Sequence, residues 1–574
     1  MKERIMGVAA FTGAAAFAKE KEYLWPAGMM PDAQPHQIAA PTTEEAARDF
    51  KREEHTQPYL EWFDPPAADA RLDACMILIS GGAYECWCDV ELVENLRREF
   101  TALGVQCVAL VYRTPRPKGL PIHQSAWEDG QRAVRLVRSQ AGKRGFSPDE
   151  IGVVSMSAGS HLATLLATSA LTPAYPPVDE LDQLPCHVNW AIPFALAYGM
   201  TDGNGTPNTR DGDAVDVKLD PCFRFDERTC PMCLLHGGED VYSPASSTHV
   251  YRQLRRLKIP AEVHLYPDKD HGAHGCGRAI EFMRQMGYLG KTAPQEDLMK
   301  RFPNDAARAD YVKETLWPPG KTPSWQAHQC EPYIEWHLPE DRKTGAIQIV
   351  YSGGGYTDND PDGFEVTPAR RYLNAKGMTV VTLKYRTPRP EGLAKHTTAW
   401  QDLQRAVRVV RAGAVTRGLD PNRIGIMGSS AGGHLTLMGA TSSKRRAYWP
   451  VDPIDERPCP VQWAVCIYPA YALTDGLENG NSTGGNDDSA RLAPEFSFDL
   501  ATPPILFIHG DADVWAAMNS VKAWEQLRRM GIQGEVHTLA RRDHCFQREA
   551  APGTGSYTWL DRIWEFLDQK QFVR

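Results

Sequence analysis

One short pattern occurs twice in this chain. It reads Ile424-Gly-Ile-Met-Gly-Ser-Ser-Ala-Gly-Gly-His434 near the C-terminus and Ile151-Gly-Val-Val-Ser-Met-Ser-Ala-Gly-Ser-His161 nearer the N-terminus. In both places an apolar run leads to a serine between small residues, and a helix-forming run follows. The pattern is typical of a strand that turns sharply into a helix with a serine exposed at the apex. Glycine suits such a turn because the strand and helix backbones pass too close for a Cβ.

The two apex serines, Ser157 and Ser430, lie 273 residues apart, and other residues keep the same offset. These pairs are Tyr112 and Tyr385, Trp127 and Trp400, Trp190 and Trp463, His236 and His509, Asp240 and Asp513, and His271 and His544. Solenoid repeats run only about 20–50 residues, so this offset predicts a duplicated domain. We name residues 24–290 the first copy and residues 316–574 the second copy, with residues 291–315 as the linker between them.

Length and charge agree with a pair of globular domains. At 574 residues the chain is too long for one compact core. The net charge of −9 is modest and there is no long basic run, so nucleic-acid binding is not expected. No apolar run after the N-terminus approaches transmembrane length, so no membrane span is expected either. The sequence gives no prediction of the oligomeric state.

The N-terminus has the pattern of a secretory signal peptide. Lys2 and Arg4 precede a short apolar stretch that ends in Ala16-Phe17-Ala18, a small-x-small cleavage sequence. We therefore expect residues 1–18 to be removed and the mature protein to be secreted or periplasmic. The alternative is a frayed hydrophobic N-terminal helix.

The cysteines are distributed unevenly between the copies. There are 13, and only Cys186 and Cys459 match at the common offset. Two close pairs, Cys86 with Cys88 and Cys230 with Cys233, can be interpreted as metal or redox sites, but no second pair stands at zinc-finger spacing. Buried thiols, with one disulfide at most, are the better interpretation. Neither a metal nor an organic cofactor is expected.

Strand-like and helix-like patterns alternate along both copies. Continuous apolar runs, such as residues 75–79 and 347–350, are typical of buried parallel strands. The predicted fold class is therefore α/β, with two tandem domains that each contain a mostly parallel sheet with helices on both faces. In the helix predicted from Ser125 to Ala141, Arg132, Arg135 and Arg138 share one face, which we interpret as solvated or ion-paired.

A serine hydroxyl needs a base in contact with it and an acid that orients the base. After each apex serine the chain supplies an aspartate at a strand end and then a histidine, the order found in α/β hydrolases. The predicted catalytic residues are Ser430, Asp513 and His544 in the second copy, and Ser157, Asp240 and His271 in the first. Asp511 and Glu239 are alternative acids, and His274 is an alternative base. His236, His509, His161 and His434 are interpreted as structural.

Acyl transfer also needs two backbone N–H groups aimed at the developing oxyanion. One is expected from the residue after the serine, which is Ala431 or Ala158. The other is expected from a glycine turn after the first buried strand, at Gly354 and Gly355 or at Gly82 and Ala83. The alternative for this turn is an ordinary tight loop.

Aromatic residues stand close in sequence to the predicted mouths of both sites. They are Tyr84 and Tyr242 in the first copy, and Tyr356 and Trp515 in the second. Such rings could stack on a sugar, and the alternative is plain packing.

Several longer motifs resemble a known family. They are Ser-Gly-Gly-Gly-Tyr from Ser352, Tyr-Arg-Thr-Pro-Arg-Pro from Tyr112 and Tyr385, Ala-Trp-x-Asp leading to Arg-Ala-Val-Arg, and Gly-Ser-Ser-Ala-Gly-Gly-His-Leu from Gly428. Together they resemble the α/β-hydrolase superfamily, with most likeness to bacterial acetyl xylan and feruloyl esterases. The resemblance implies a serine esterase that acts on acylated carbohydrate or another small ester.

Both copies depart from the family pattern, the first copy more than the second. Ser155 replaces the first glycine of the turn, Ala83 replaces the third glycine of the oxyanion loop, and Ser80 and Ser352 precede the glycines. Two alternatives stay open. One is a peptidase that resembles prolyl oligopeptidase, and the other is an active second copy joined to a carbohydrate-binding pseudo-enzyme.

Overall fold

The computed structural model describes residues 20–37, 57–63, 66–87, 90–201, 218–301, 312–474 and 490–574, without the side chains of residues 90–93. The predicted signal peptide lies outside the described residues. The chain divides into two compact units, residues 1–190 and residues 191–574. The copy boundaries of the sequence analysis rest on the repeat and stay a prediction. None of the helices in the described ranges has the length and apolar character needed to cross a membrane.

The first unit contains a five-stranded sheet with helices packed on it. Its strands are β1 Glu20–Tyr23, β2 Tyr59–Trp62, β3 Cys75–Ile79, β4 Gln106–Val111 and β5 Ile151–Met156. Its helices are α1 Val90–Ala102, α2 Gln124–Arg144, α3 Ala158–Thr168 and the short 3₁₀ helix Glu180–Gln183. The strand order is β1-β2-β4-β3-β5, and β3 runs parallel to both β4 and β5.

The second unit repeats this scheme on a larger scale. Its strands are β6 Trp190–Phe194 (which begins at the last residue of the first unit), β7 Met232–Gly237, β8 Ala261–Tyr266, β9 Val312–Thr315, β10 Tyr333–His337, β11 Ile347–Tyr351, β12 Thr379–Lys384, β13 Ile424–Ser429, β14 Trp463–Ile467, β15 Leu473–Thr474, β16 Arg491–Leu492, β17 Ile505–Gly510 and β18 Gly534–Leu539. Its helices are α4 Ala245–Arg256, α5 Cys276–Met286, α6 Leu298–Arg301, α7 Thr367–Ala375, α8 Thr397–Ala414, α9 Ala431–Thr441, α10 Met518–Arg529 and α11 Trp559–Gln569, with 3₁₀ helices at Gly354–Tyr356, Val415–Arg417, Pro453–Glu456 and Phe546–Glu549.

The predicted α/β class is confirmed. In the second unit the main sheet has the order β6-β7-β8-β18-β17-β14-β13-β11-β12-β10-β9, and neighbours from β12 through β18 are parallel. The central strands β11, β13, β14 and β17 are buried along their whole length. Burial on both faces explains why the sequence shows continuous apolar runs instead of alternation.

A buried aspartate in the long helix of each copy binds the arginine that follows the tyrosine in the Tyr-Arg-Thr-Pro-Arg-Pro motif and a tryptophan from the N-terminal part of the copy. Asp402 of α8 accepts hydrogen bonds from the Arg386 guanidinium at 2.9 Å and from Trp317 Nε1 at 2.7 Å. In the first unit Asp129 of α2 does the same for Arg113 and for Trp25 Nε1 at 2.8 Å. A buried ion pair of this kind needs all its hydrogen bonds satisfied. These bonds hold the segment that carries Trp25 or Trp317 and the loop that follows β4 or β12.

The arginine face of α2 is ion-paired and mostly buried, so the solvated alternative is wrong. Arg132 is 3 % exposed and pairs with Asp179 at 2.6 Å and Asp182 at 3.1 Å. Arg138 donates to the backbone carbonyl of His187 at 2.7 Å. Helical spacing alone cannot separate a solvated charged face from one covered by a loop, and here residues 175–187 cover it.

The described cysteines are all free thiols, so no disulfide links any of them. Cys230 and Cys233 are both buried. Burial raises the pKa of both thiols, which keeps them protonated and unreactive. The interpretation as buried thiols therefore fits them better than a redox pair.

Strands β8 and β18 pair antiparallel, and a polar chain crosses them. His264 Nδ1 lies 2.9 Å from His537 Nδ1, His264 Nε2 lies 2.9 Å from Glu262, and His537 Nε2 lies 2.7 Å from Glu535. All four side chains are buried. Glu262 and His264 stand 273 residues before Glu535 and His537. Each strand therefore contributes one glutamate and one histidine at equivalent positions to this series of hydrogen bonds.

Candidate active site

Ser430 sits at the turn between β13 and α9 with an uncommon backbone conformation, φ 56° and ψ −120°. Its N–H donates to the Ile467 carbonyl at 2.9 Å, and its own carbonyl accepts from His434 N and Ala470 N at 3.0 and 3.1 Å. A Cβ on Gly432 would stand 2.5 Å from the Ser352 carbonyl oxygen. The glycine is therefore needed for the close approach, and the hydrogen bonds hold the strained serine in place.

The three residues predicted as the triad of the second copy are in hydrogen-bond contact. His544 Nε2 lies 2.8 Å from Ser430 Oγ, and His544 Nδ1 lies 2.8 Å from Asp513 Oδ2. Ser430 is 8 % exposed and Asp513 is 3 % exposed. The serine thus has a base in direct contact, and that base is oriented by a buried carboxylate, which is the arrangement that serine nucleophiles need.

A second histidine supports the carboxylate. His509 Nε2 lies 3.1 Å from Asp513 Oδ2, and its Nδ1 bonds to Ser520 Oγ at 2.8 Å. Burial alone would raise the pKa of Asp513, but His509 and His544 hold that pKa well below its usual range. Asp513 is therefore an ionised carboxylate near neutral pH. The sequence interpretation of His509 as structural missed this contact.

The loop after β11 presents Gly354 and Gly355 to the same cavity as Ser430. The preceding N–H, of Gly353, is taken by Glu365 Oε2 at 2.7 Å, which leaves the later glycines as the candidate oxyanion donors on this loop. Arg389 Nε donates to the Gly355 carbonyl at 2.9 Å, and Tyr385 Oη donates to the Gly353 carbonyl at 2.6 Å. The Tyr-Arg-Thr-Pro-Arg-Pro motif therefore clamps the oxyanion loop.

A cavity of about 500 Å³ opens over the serine. Its lining includes Gly354, Gly355, Asp358, Asp360, Glu365, Ser430, Tyr471, Trp515, His544 and Arg548. This volume is ordinary for a small-molecule site. Its acidic side chains outnumber its single arginine, so the cavity suits a neutral substrate better than an anionic one.

Two of the four aromatic residues proposed for sugar stacking are buried, and for those two the prediction is corrected. Trp515 lines the cavity and Tyr242 is half-buried. Tyr84 and Tyr356 are each 1 % exposed, and their hydroxyls bond to His161 Nδ1 at 2.8 Å and to His434 Nδ1 at 2.7 Å. Both rings are therefore packing elements under the oxyanion loop, with no face free for a sugar.

In the first unit, Ser157 has almost the same backbone conformation as Ser430, φ 58° and ψ −122°. Ala158 follows it at the start of α3, and Arg116 Nε donates to the Ala83 carbonyl at 2.9 Å. In the second unit, His271 Nδ1 lies 2.9 Å from Asp240, and His236 Nε2 lies 3.1 Å from the same carboxylate. His236 and His271 hold the pKa of Asp240 low against the effect of burial.

The alternative acids and base have other surroundings. Asp511 accepts hydrogen bonds from Tyr251 Oη at 2.9 Å, Arg255 Nη1 at 2.8 Å and Ala261 N at 3.1 Å. Glu239 is exposed to solvent. His274 Nε2 bonds to the Asp270 carbonyl at 3.1 Å.

Sequence reasoning missed a buried group beside the serine. Glu365 accepts from Tyr468 Oη at 2.9 Å, and the Tyr468 hydroxyl also bonds to Gln547. The Tyr468 ring lies edge-on to His544 with centroids 4.8 Å apart. Burial raises the pKa of Glu365. A positive φ of 33° at Tyr468, next to the end of β14, has no signal in the sequence.

The BD-FAE family profile matches residues 60–191 and 334–527, which together make up more than half of the chain. The chain belongs to the BD-FAE family. One matched range falls in each copy, and the BD-FAE fold is that of α/β-hydrolase-type esterases.

Individual relatives of this BD-FAE chain are distant. An acetylxylan esterase of Xylanibacter ruminicola is 28 % identical over 224 residues, which cover 36 % of this chain and 42 % of that protein. Endo-1,4-beta-xylanase B of Butyrivibrio fibrisolvens is 26 % identical over 205 residues, which cover 34 % of this chain and 32 % of that protein. The chain therefore spans less than half the length of these curated relatives.

Among solved structures, an acetyl ester-xyloside bifunctional hydrolase from Caldicellulosiruptor lactoaceticus is 23 % identical with a TM-score of 0.38. The likeness covers 46 % of this chain and 97 % of that one.

Proposed function

We propose that the protein is a serine esterase that uses Ser430, His544 and Asp513 to hydrolyse acyl esters. The observation that carries this proposal is the unbroken contact from Ser430 Oγ through His544 to Asp513, with 2.8 Å at each step. Membership of the BD-FAE family supports it. The cavity over the serine provides room for an acyl group and part of an alcohol.

Each group has one task in the reaction. Ser430 Oγ attacks the acyl carbon while His544 Nε2 takes its proton, and the N–H groups of Ala431 and of Gly354 or Gly355 stabilise the oxyanion. His544 then gives the proton to the leaving alcohol, and an acyl-serine remains. Water attacks this ester with the same histidine as base, which releases the acid and restores the serine. Asp513 keeps Nδ1 of the imidazole protonated throughout.

For the substrate we propose acetyl or feruloyl groups on polysaccharide. The name of the Xylanibacter ruminicola relative supports an acetylated xylan. The excess of acidic over basic groups in the cavity supports a neutral acyl group. An ester also has a better leaving group than an amide, which favours the esterase over the peptidase alternative.

We propose the same chemistry for Ser157, His271 and Asp240 of the first copy. The equal spacing of the three residues in both copies supports this assignment, and so do the serine conformation and the Asp240–His271 contact. We also propose export with cleavage after Ala18, which N-terminal sequencing of protein from its native host would test.

The test is a rate comparison on acetylated xylan, a feruloylated glycan and matched peptide amides. Wild type, Ser430→Ala, Ser157→Ala and the double variant are compared, with Ser139→Ala on α2 as a matched control. The double variant should lose essentially all activity, on the order of 10⁴-fold or more, and the control none. Full activity in the double variant would overturn the proposal. Amide rates equal to the best ester rate would favour the peptidase, and Ser430→Ala alone removing all activity would make the first copy a pseudo-enzyme.

A further inference from the structure

Three metal-binding side chains lie together beside the buried Tyr356. His396 directly precedes α8, His434 is in the first turn of α9, and Glu495 follows β16. One ligand atom from each lies within 4.8 Å of the other two. His434 Nε2 is 3.0 Å and His396 Nδ1 is 3.9 Å from the same oxygen, Glu495 Oε1. Ligands around one zinc ion lie about 3.3 Å apart, given bonds of about 2.0–2.1 Å, so small side-chain movements suffice.

One of these ligand atoms has no hydrogen bond to any described residue. His396 Nδ1 is buried and faces the Glu495 carboxylate from beyond hydrogen-bond distance. A buried polar atom without a partner is costly. By contrast, His434 is fully bonded through Glu495 and Tyr356. In this cluster His434 and Glu495 are therefore hydrogen-bonded to each other, whereas His396 Nδ1 still lacks a partner among the described residues.

The protonation states suit a cation. Burial lowers the pKa of His396 and of His434, so both imidazoles are neutral near pH 7 and offer a lone pair. Burial works against ionisation of Glu495, but the contact with His434 holds its pKa below the usual value, so it is a carboxylate. Two neutral imidazoles and one carboxylate are a ligand set that zinc prefers.

The second nitrogen of His434 has the partner that a metal ligand needs. Its Nδ1 lies 2.7 Å from Tyr356 Oη. A metal on Nε2 would place the ring proton on Nδ1, which could then donate to the tyrosine oxygen. Such outer contacts fix the tautomer and the ring plane of metal-bound histidines.

The first copy keeps ligand-type residues at the equivalent positions. Counting back 273 residues from His396, His434 and Glu495 gives His123, His161 and Cys222. The rings of His123 and His161 lie 5.2 Å apart, close to the 5.6 Å between His396 and His434. Replacing a carboxylate by a thiol loses the hydrogen-bond acceptor for the histidine but retains a zinc ligand.

We propose that His396, His434 and Glu495 bind one zinc ion. Three protein ligands leave a fourth position for water. The ion would link the start of α8, the helix α9 that follows the serine turn, and the segment after β16. Through His434 and Tyr356 it would also brace the oxyanion loop. Ser430 contributes no ligand, so this site does not depend on the proposed esterase activity.

Two cations nearby make the carboxylate the decisive ligand. The positive charge of Lys395 interacts with Glu495 and His434, and that of Arg445 interacts with His396. These two positive charges repel a bound zinc ion, and the negative charge of the Glu495 carboxylate offsets this repulsion. We therefore expect Glu495→Gln to lose the zinc although a glutamine still fits the space and can still accept a hydrogen bond.

The test measures zinc on the full-length protein after chelation, dialysis and titration with Zn²⁺ alone. Calorimetry and elemental analysis should show one equivalent fewer in His396→Ala and in Glu495→Gln than in wild type. His274→Ala, a histidine outside the cluster, is the matched control and should keep the wild-type content. Zn²⁺ should raise the melting temperature of wild type but produce a smaller rise in the two variants.

Folding and function are separated by two further measurements. Far-ultraviolet circular dichroism checks that the variants are folded, and Glu495→Gln serves where His396→Ala fails to fold. Ser430→Ala should bind as much zinc as wild type, so an error in the proposed esterase mechanism would leave this result unchanged. The proposal is overturned by wild type that binds no zinc, or by equal zinc content in wild type, His396→Ala and Glu495→Gln.

Discussion

The two serine turns reach one backbone conformation with different side chains. Ser157 and Ser430 agree to within a few degrees in φ and ψ. Where the second copy has Gly428 and Gly433, the first has Ser155 and Ser160, whose hydroxyls lie 3.2 Å apart. The first copy therefore has two serines whose hydroxyls hydrogen-bond to each other where the second copy has two glycines. The serine turn and the glycine two residues after it are therefore common to both copies, whereas Gly428 and Gly433 are not.

A change on the neighbouring strand accompanies this exchange. Gly428 pairs with Tyr351, and a Cβ on Gly428 would lie 2.6 Å from the tyrosine ring. In the first unit Ser155 pairs with Ile79, which has no ring. The first copy thus has a serine at a position where the neighbour on β3 is smaller, which removes one of the two close contacts that Gly428 avoids.

The largest expected effect tests whether the two acids have equal roles. Asp513→Asn is made in a Ser157→Ala background, and Asp240→Asn in a Ser430→Ala background, so that one site is read at a time. Each should lower kcat on an aryl acetate by about 10⁴-fold, because the wrong imidazole tautomer is then favoured. The same change at Asp511 should lower kcat far less. A tenfold or smaller loss for Asp240→Asn alone would break the equivalence of the copies.

The second prediction exchanges the turns. Gly428→Ser should destabilise the protein by about 1–3 kcal/mol, because its Cβ meets both the tyrosine ring and the Gly432 carbonyl. Adding Tyr351→Ile should recover part of this loss, because it removes the ring that the new Cβ meets. Urea denaturation of the single and double variants measures both steps. A double variant no more stable than Gly428→Ser would show that the Gly432 carbonyl, and not the ring, sets the cost.

The third prediction concerns the polar chain across β8 and β18. Its three hydrogen bonds in series need three protons, but two neutral imidazoles carry only two. Burial lowers the pKa of both His264 and His537, so they stay neutral, and it raises the pKa of Glu262 and of Glu535 to about 8. Glu262 accepts from Ala540 N at 2.9 Å, whereas Glu535 Oε2 has no partner among the described residues. We therefore expect Glu535 to hold the third proton.

The pH dependence follows from the raised pKa. The folded protein keeps a proton that an unfolded glutamate releases above about pH 4.3, so this contribution to stability is complete below that pH and is lost as the pH rises towards 8. The free energy of unfolding should fall by about 2 kcal/mol between pH 6 and pH 8. Glu535→Gln should remove this slope, and Glu262→Gln should destabilise the protein more. The charges of Arg278, Arg562 and Glu281 also act on these side chains. An unchanged slope in Glu535→Gln would assign the proton to Glu262.

The smallest expected effect is at the oxyanion loops. Gly355 has φ 62° and Ala83 has φ 56°, a left-handed conformation that costs alanine about 1 kcal/mol. Gly355→Ala should therefore lower stability by about 1 kcal/mol, and Ala83→Gly should raise it by slightly less because glycine also gains entropy when unfolded. Thermal melts of both variants measure the pair. A loss of stability in Ala83→Gly would mean that the methyl group of Ala83 makes contacts that outweigh its strain.

The sequence was a good guide where a feature repeats or is local. The apolar strand runs predicted the fold class. The serine turn and the order of the residues after it predicted the contact of Ser430 with His544 and Asp513. The sequence could not show that His509 supports Asp513, or that Tyr356 is buried, because both depend on packing between distant segments. Glu365 and the ligands His396, His434 and Glu495 are far apart in the chain, so only the folded structure brings each set together.

The central claim is that Ser430, and by equivalence Ser157, is a nucleophile activated by a histidine. The direct measurement is covalent labelling with an aryl fluorophosphonate, followed by mass spectrometry of the intact chain and of its peptides. The account predicts two adducts per chain, on Ser430 and Ser157, with the Ser430 adduct lost in His544→Ala. A chain that takes up no adduct at Ser430, or takes it up equally fast without His544, would contradict the account.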